Sequence, residues 1–500
     1  MLFYIFVLIF LAYCFYTLYW KRKNLPPGPF PLPIIGNLYD IYKHGIGDIS
    51  TFLHQKYGGL NTFWVGNKPI VSFNDFNLIQ EAFVKNGEAF AGRPKVQETS
   101  KLLRGGSYGI VLTDGELWRE HRRFALHVLR NFGLGRNLMQ ERVLNEVIWM
   151  IDEMKQQLKN GEEEISVQSK IDVAVGSIIN SLIFGYAFHE KSLEEFYKIK
   201  NFIRDFITIS GNPLFRLLSS DTSGILKRLP GIRNCYNEAK RLGNEMRTFF
   251  NGQIEERRQK INFDQDSEPT DYVEAYLRQQ QKTEKVCNGE NLFSNGQLFG
   301  CVFDMWLAGQ ETTSNTLSWM VLYLMTNPKS QKSIHHELDT IIGSDRIITL
   351  DDKMDLPYVN AVVAETQRFC NLLPNNIPHR LTEDLNFHGY NLKADTTVVP
   401  QISSVLYDET IFEEPLKFKP ERFIDSNGKF QTKPELIPFG VGKRACLGES
   451  LARLELYLFT ANLLNQFEIS SIPLKPPKMT PIIGGTKMSQ LFLAHLKQRF

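Results

Sequence analysis

The sequence predicts a mainly α-helical body with a minor β subdomain, carried behind one N-terminal transmembrane helix. Three observations lead there. Met1 to Trp20 is an almost unbroken apolar run. From about residue 115 onward, apolar residues recur at helical spacing over most of the chain. Strand-like patterning is confined to 60–73, 379–400 and the C-terminus.

Twenty helical residues at ~1.5 Å rise span roughly 30 Å, the thickness of a bilayer core. Lys21, Arg22 and Lys23 follow the run at once, which predicts that this end stays cytoplasmic. No basic segment precedes the run and no small-residue cleavage site follows it, so a removable signal peptide fits poorly. A buried core helix is the competing reading, and the length argues against it. Residues 21–37 form a basic and proline-rich hinge. Pro26, Pro27, Pro29, Pro31 and Pro33 fall within eight residues and make a stiff, extended spacer. The body is then 38–500.

Within the body, helical spacing covers 48–60 and 75–86, with a hairpin at 60–73 turning at Gly66-Asn67. Further helices are read at 115–130, 138–159, 166–184, 191–209, 231–258, 270–282, 294–326, 328–343, 355–371 and 447–466. A polar loop occupies 259–269, and 408–445 is irregular. There is no internal repeat and no Gly/Ser-rich linker, so one large domain is expected. The 57 basic residues against 55 acidic leave a formal charge of +2, which excludes an electrostatic nucleic-acid binder. Six cysteines without a CxxC pair exclude a disulfide scaffold and a structural zinc site. Thirty-six Phe suggest that something large and apolar is being lined.

The 294–326 segment is the longest helix candidate. Ser294 with Gln297 reads as a capping box, and Asn327-Pro328 as a stop. It is apolar almost all round until Glu311 and Thr312, next to Gly309. A carboxylate and a hydroxyl in a buried helix are costly unless paired. A catalytic site and a satisfied core pair both fit. Asp304 lies on the face that carries Ala308 and Thr312. It must pair either with Arg104 or with the cation of a basic substrate.

The stretch Phe439-Gly440-Val441-Gly442-Lys443-Arg444-Ala445-Cys446-Leu447-Gly448 is a tight loop ahead of a helix. Loop amides, a helix N-terminus and Arg444 would all favour a low-pKa thiolate at Cys446. Such a thiolate serves as nucleophile, redox sensor or axial haem ligand. Phe-x-x-Gly-x-Arg-x-Cys-x-Gly resembles, at every fixed position, the cysteine loop of the cytochrome P450 family. Ala308 to Thr313 is similar to that family's oxygen-activation signature, and the hinge behind an apolar anchor to its microsomal, family-2-like branch. Glu365-Thr366-Gln367-Arg368 is singled out from four other Glu-x-x-Arg matches by its distance from Cys446 and by Pro420-Glu421-Arg422-Phe423 between them.

The resemblance implies a cytochrome P450 fold binding haem b, with Cys446 as axial iron ligand and Glu311 and Thr312 as the proton-delivery pair. It implies Arg93, Trp118, Arg122, His379, Phe439 and Arg444 as haem contacts, and a buried network of Glu365, Arg368 and Arg422. It implies a monooxygenase in the endoplasmic reticulum membrane that puts one atom of O2 into a lipophilic substrate with NADPH-derived electrons. The chain carries no flavin, nucleotide or iron–sulfur motif, so NADPH-cytochrome P450 reductase would supply the electrons, with cytochrome b5 as a second donor. Lys433, Lys443 and Arg453 are the candidate docking residues. Asp304, Ala308, Phe202, Phe206, Leu372 and Ile483 are expected on the pocket wall. A reductase-independent isomerase or dehydratase of lipid peroxides is the alternative, and a haem sensor or electron carrier a third reading. The presence of both Glu311 and Thr312 favours the monooxygenase.

Overall fold

A computed structural model describes all residues except 1, 34, 46–48, 96–97, 134–136, 192, 221–223, 266 and 287–291. Some further side chains, Ile483 among them, also lie outside the described part. Most of the body is helical. The helices at Gly115–Asn131, Asn137–Lys159, Val167–Phe184, Leu193–Gly211, Ile232–Lys260, Asn295–Thr326, Pro357–Cys370 and Glu449–Gln466 follow the apolar periodicity closely. Among the described residues, several short helices were not legible, Phe188–Lys191 and Ile402–Leu406 included. Leu38–His44 and Glu98–Arg104 are seven residues each, too short for periodicity to register. Pro213–Ser220 is cut from the preceding helix where Pro213 cannot continue it.

The 60–73 hairpin forms as Leu60–Val65 and Lys68–Phe73, with Gly66 in the left-handed region at φ 60°. It continues into a four-stranded sheet: Lys68–Phe73 pairs in parallel with Thr397–Pro400, which pairs antiparallel with His379–Arg380. A second sheet orders Glu164–Ile165, Ala494–Gln498 and Phe467–Ser470.

The Asn295–Thr326 helix runs through the main core and is buried along almost its whole length. It packs most extensively on Val167–Phe184. A methyl group at Gly309 would stand 2.3 Å from Ile179 Cδ1, so the close crossing requires glycine there. Val167–Phe184 is itself apolar enough to span a bilayer, but 83% of it is buried in the body, whereas the N-terminal apolar helix is not buried at all. Only the latter is free to meet lipid.

Glu365 and Arg368 are both fully buried and pair at 2.7 Å. Arg422 joins Glu365 at 3.1 Å. Arg368 also donates to the carbonyls of Leu406 and Pro415, and the Lys419 amide donates to Glu365. One ion network therefore ties the Pro357–Cys370 helix to the irregular 406–422 segment. Replacing Arg368 by Met strands a buried carboxylate and is expected to cost about 3–5 kcal/mol. Arg422→Ala should cost less, because Arg368 still pairs with Glu365. Denaturant unfolding of both variants measures this, and a loss below ~1 kcal/mol for Arg368→Met would refute it.

Candidate active site

The loop before Glu449 has Gly440 and Gly442 at φ 68° and 75°. A Cβ at Gly442 would lie 1.9 Å from the Phe83 carbonyl oxygen, so only glycine lets this turn press on the 80–85 segment. The Cys446 amide then donates to the Phe439 carbonyl at 2.9 Å, and Arg122 donates to the Ala445 carbonyl at 2.7 Å. These bonds aim Cys446 into a mainly apolar cavity. The facing wall is the Asn295–Thr326 helix, through Ala308, Gly309 and Thr312. Leu372 and Ile377 close one flank.

The thiol itself corrects one expectation. Burial pushes the Cys446 thiol up rather than down, and Glu449 adds to this; the Gly448 amide and Arg122 oppose it without winning. The loop alone does not make a thiolate. A metal ion that displaces the proton does. Among the described residues no group of three or more His, Cys, Asp or Glu could hold a metal. An ion bound to Cys446 must therefore bring its other ligands with it, as a macrocycle does.

The rim says what charge that group carries. Arg93, Trp118, Arg122, Phe439 and Arg444 all line the cavity. Arg444 stacks on Trp118 at 3.7 Å and donates to the carbonyls of Ala91 and Thr113. Its Nη1 is buried without a partner. Burial and Arg93 push Arg444 down to about 8, and burial and Arg122 push Arg93 down to about 9, in both cases against Asp114. Three arginines that repel one another, with a spare buried donor, suit an anionic guest. The acidic side chains of a haem fit this rim.

His379 is buried beside the site but does not line the cavity; its Nδ1–H donates to the Phe90 carbonyl at 2.8 Å. Burial and Arg93 hold it neutral, well below the usual imidazole range. Glu311 does not line the cavity either. Its carboxylate accepts from Lys200 at 2.7 Å and from Asn315 at 3.1 Å, and Lys200 also reaches Asp172. Thr312 does face the cavity, with its hydroxyl donating to the Ala308 carbonyl at 2.6 Å. Phe202 and Phe206 are placed otherwise than expected. They pack onto the main core, Phe206 edge-on to Phe303, because their helix turns that face toward the Asn295–Thr326 helix. Of the candidate docking residues, Lys443 pairs with Glu88, Arg453 with Glu449, and Lys433 donates to the Ile411 carbonyl.

Asp304 lines the cavity, yet its oxygens are occupied. One accepts from Arg104 at 2.7 Å, and the other from the Ile110 and Val111 amides at 2.8 Å each. Ser294 caps the helix by accepting from the Gln297 amide, but the reciprocal half of the capping box is absent. The Gln297 side chain bonds both backbone groups of Gly109 instead. Gln297 and Asp304 thus strap the 104–111 segment over the cavity. Sequence reasoning missed Gln297 and Lys200. It also missed Glu455, a buried carboxyl on the cavity wall that burial pushes up to about 8. The signal for Gln297 and Glu455 was a polar residue beside an apolar helical run; Lys200, in a helix with many charged residues, gave none.

Cys446, presented by its glycine loop at an apolar cavity with an anion-seeking arginine rim, defines the site of a haem-thiolate protein. The comparisons agree. The family model described as cytochrome P450 matches residues 26–491. Cytochrome P450 2B19 of Mus musculus is 34% identical over 95% of this chain and 94% of its own. Cytochrome P450 2M1 of Oncorhynchus mykiss and cytochrome P450 2B4 of Oryctolagus cuniculus are each also 34% identical, over 95% and 92% of this chain and 92% and 91% of their own. The chain belongs to the cytochrome P450 family and is a haem-thiolate monooxygenase.

Because Asp304 is filled by protein donors, Asp304→Asn and Arg104→Ala are expected to lower turnover of neutral and cationic lipophilic substrates alike. Loss confined to the cationic substrate, with Arg104→Ala harmless, would overturn the strap reading.

Proposed function

We propose that the protein hydroxylates lipophilic small molecules at the membrane of the endoplasmic reticulum. One oxygen atom of O2 enters the substrate and the other leaves as water, with NADPH-derived electrons supplied through a separate reductase. The observation that carries this reading is Cys446 held under the cavity by its own loop and faced by the arginine rim. Bound haem would supply the redox chemistry, with Cys446 holding its iron. Arg444 and Arg122 would hold its acidic side chains, with Trp118 and Phe439 against its edge.

The chain's own residues account for the remaining steps. Ala308, Leu372 and Ile377 offer an apolar wall that takes lipophilic substrates and excludes bulk water. The Thr312 hydroxyl faces the cavity and can exchange its bond to Ala308 for one to water. Glu311 serves as the acid behind Thr312, and it reaches the cavity only when Lys200 releases it. Lys443 and Arg453 contribute to the reductase surface even though each has an acidic neighbour. The apolar helix at Leu2–Leu18 anchors the protein as a single pass with the body on the cytoplasmic side.

Cys446→Ser is expected to abolish the thiolate-type band in the CO-difference spectrum, and an unchanged band would sink the assignment. Removing residues 2–20 should leave haem spectra and reductase-supported turnover in detergent intact. Failure to take up haem after that truncation would show that the segment is more than an anchor.

A further inference from the structure

We propose that Glu455, whenever it is ionised, is a proton acceptor coupled to reduction of the cavity's bound redox group: the carboxylate takes up a proton when that group gains an electron. The proposal rests on the haem reading above. Glu455 sits on the Glu449–Gln466 helix, which starts three residues after Cys446, so the iron ligand and this carboxyl belong to one rigid element. The residue lines the same cavity and is 1% exposed. One carboxyl oxygen is met by the Thr313 hydroxyl, and Oε1 has no partner. An unpaired oxygen in a buried carboxyl is costly unless the group is neutral or a guest serves it.

The charged groups on the helices packed against its own are committed to other partners. On Asn137–Lys159, Glu146 meets His189. On Asn295–Thr326, Asp304 holds Arg104 and Glu311 holds Lys200. On Pro328–Ile341, Glu337 accepts from the Tyr358 and Val359 amides. On Pro357–Cys370, Glu365 and Arg368 hold each other. Across the cavity, Arg93, Arg122 and Arg444 donate to backbone carbonyls; Arg444 and Arg93, pushed down to about 8 and about 9, titrate in the same alkaline range, so the share of any fall in potential that belongs to Glu455 is the share lost in Glu455→Gln. Two influences remain on Glu455: burial raises its pKa, and the Thr313 hydroxyl lowers it. With a pKa of about 8, it is an uncharged acid at neutral pH, close to its titration point.

Adding an electron to a water-poor cavity makes a nearby negative charge less favourable. The electron comes from an external one-electron donor and the proton from solvent. The Glu455 carboxylate becomes the carboxylic acid, and the net charge of the cavity is unchanged. Below about pH 8 the acid is already protonated in both redox states, so the midpoint potential should not vary with pH through this group. Above it, each tenfold fall in proton activity should shift the equilibrium by up to tenfold, at most about 59 mV.

Spectroelectrochemical titration of the full-length haem-loaded protein from about pH 6 to about pH 10 tests this. The expected result is a flat potential that begins to fall above about pH 8. Glu455→Gln should make the fall clearly shallower while keeping the haem spectrum. Thr313→Val should move the break to higher pH, because it removes the donor that favours the carboxylate. Redox-difference infrared spectra of the wild type at alkaline pH should show a carboxylic-acid carbonyl band appearing on reduction. That measurement decides the matter if Glu455→Gln fails to load haem. An unchanged alkaline slope in a haem-loaded Glu455→Gln protein, or no such band in the wild type, overturns the proposal alone. A wild type without a thiolate-type haem spectrum overturns the function with it.

Discussion

A thirty-two-residue helix buried almost all round can carry polar side chains only where another element satisfies them. The Asn295–Thr326 helix meets that constraint at most of its buried polar side chains, the Trp306 Nε1 and Gln310 Oε1 atoms excepted, and the packing around it follows. Gln297 and Asp304 take the backbone of 109–111. Gln310 donates to the Asp172 carbonyl on Val167–Phe184. Glu311 takes Lys200 from Leu193–Gly211. Asn315 accepts from the Ser489 amide near the C-terminus. Each bond offsets a desolvation penalty and at the same time fixes one wall of the cavity. Stability and site geometry are therefore the same set of contacts.

Opposite that helix, the site stores electrostatic tension of one sign. Arg93, Arg122 and Arg444 repel each other, and Asp114 answers only part of the charge. Their donors are spent mainly on carbonyls, which hold geometry without neutralising charge. An anionic guest relieves this, so haem binding and rim stability are linked. The same logic explains the raised Cys446 thiol: the loop supplies aim, and the metal supplies the charge.

Helix existence was legible wherever apolar residues recur over three turns or more, and so was the loop around Cys446, because glycines at fixed spacing leave little freedom. What escaped was partner choice. The sequence shows Glu311 inside an apolar run but not that Lys200, more than one hundred residues away in the chain, lies next to it. Ser294 and Gln297 have capping-box spacing, yet tertiary demand at Gly109 takes the Gln297 side chain. Phe202 and Phe206 sit in an aromatic, apolar segment that suits a lid as well as it suits core, and only packing decides. Asp304 shows the opposite case, where two partners were named and the local geometry fills the carboxylate with one of them.

The proline-rich segment is stitched into the fold rather than strung beside it. The Thr62 amide donates to the Pro27 carbonyl and the Asn37 amide to the Trp64 carbonyl, along the outer side of Leu60–Val65. That strand is the end member of the four-stranded sheet, and its unpaired backbone would otherwise be an open template for another chain. The proline segment thus acts as an aggregation guard. A soluble form made by cutting the anchor keeps its sheet edge covered if it begins before Pro26. Cutting past Asn37 would trade one sticky surface for another.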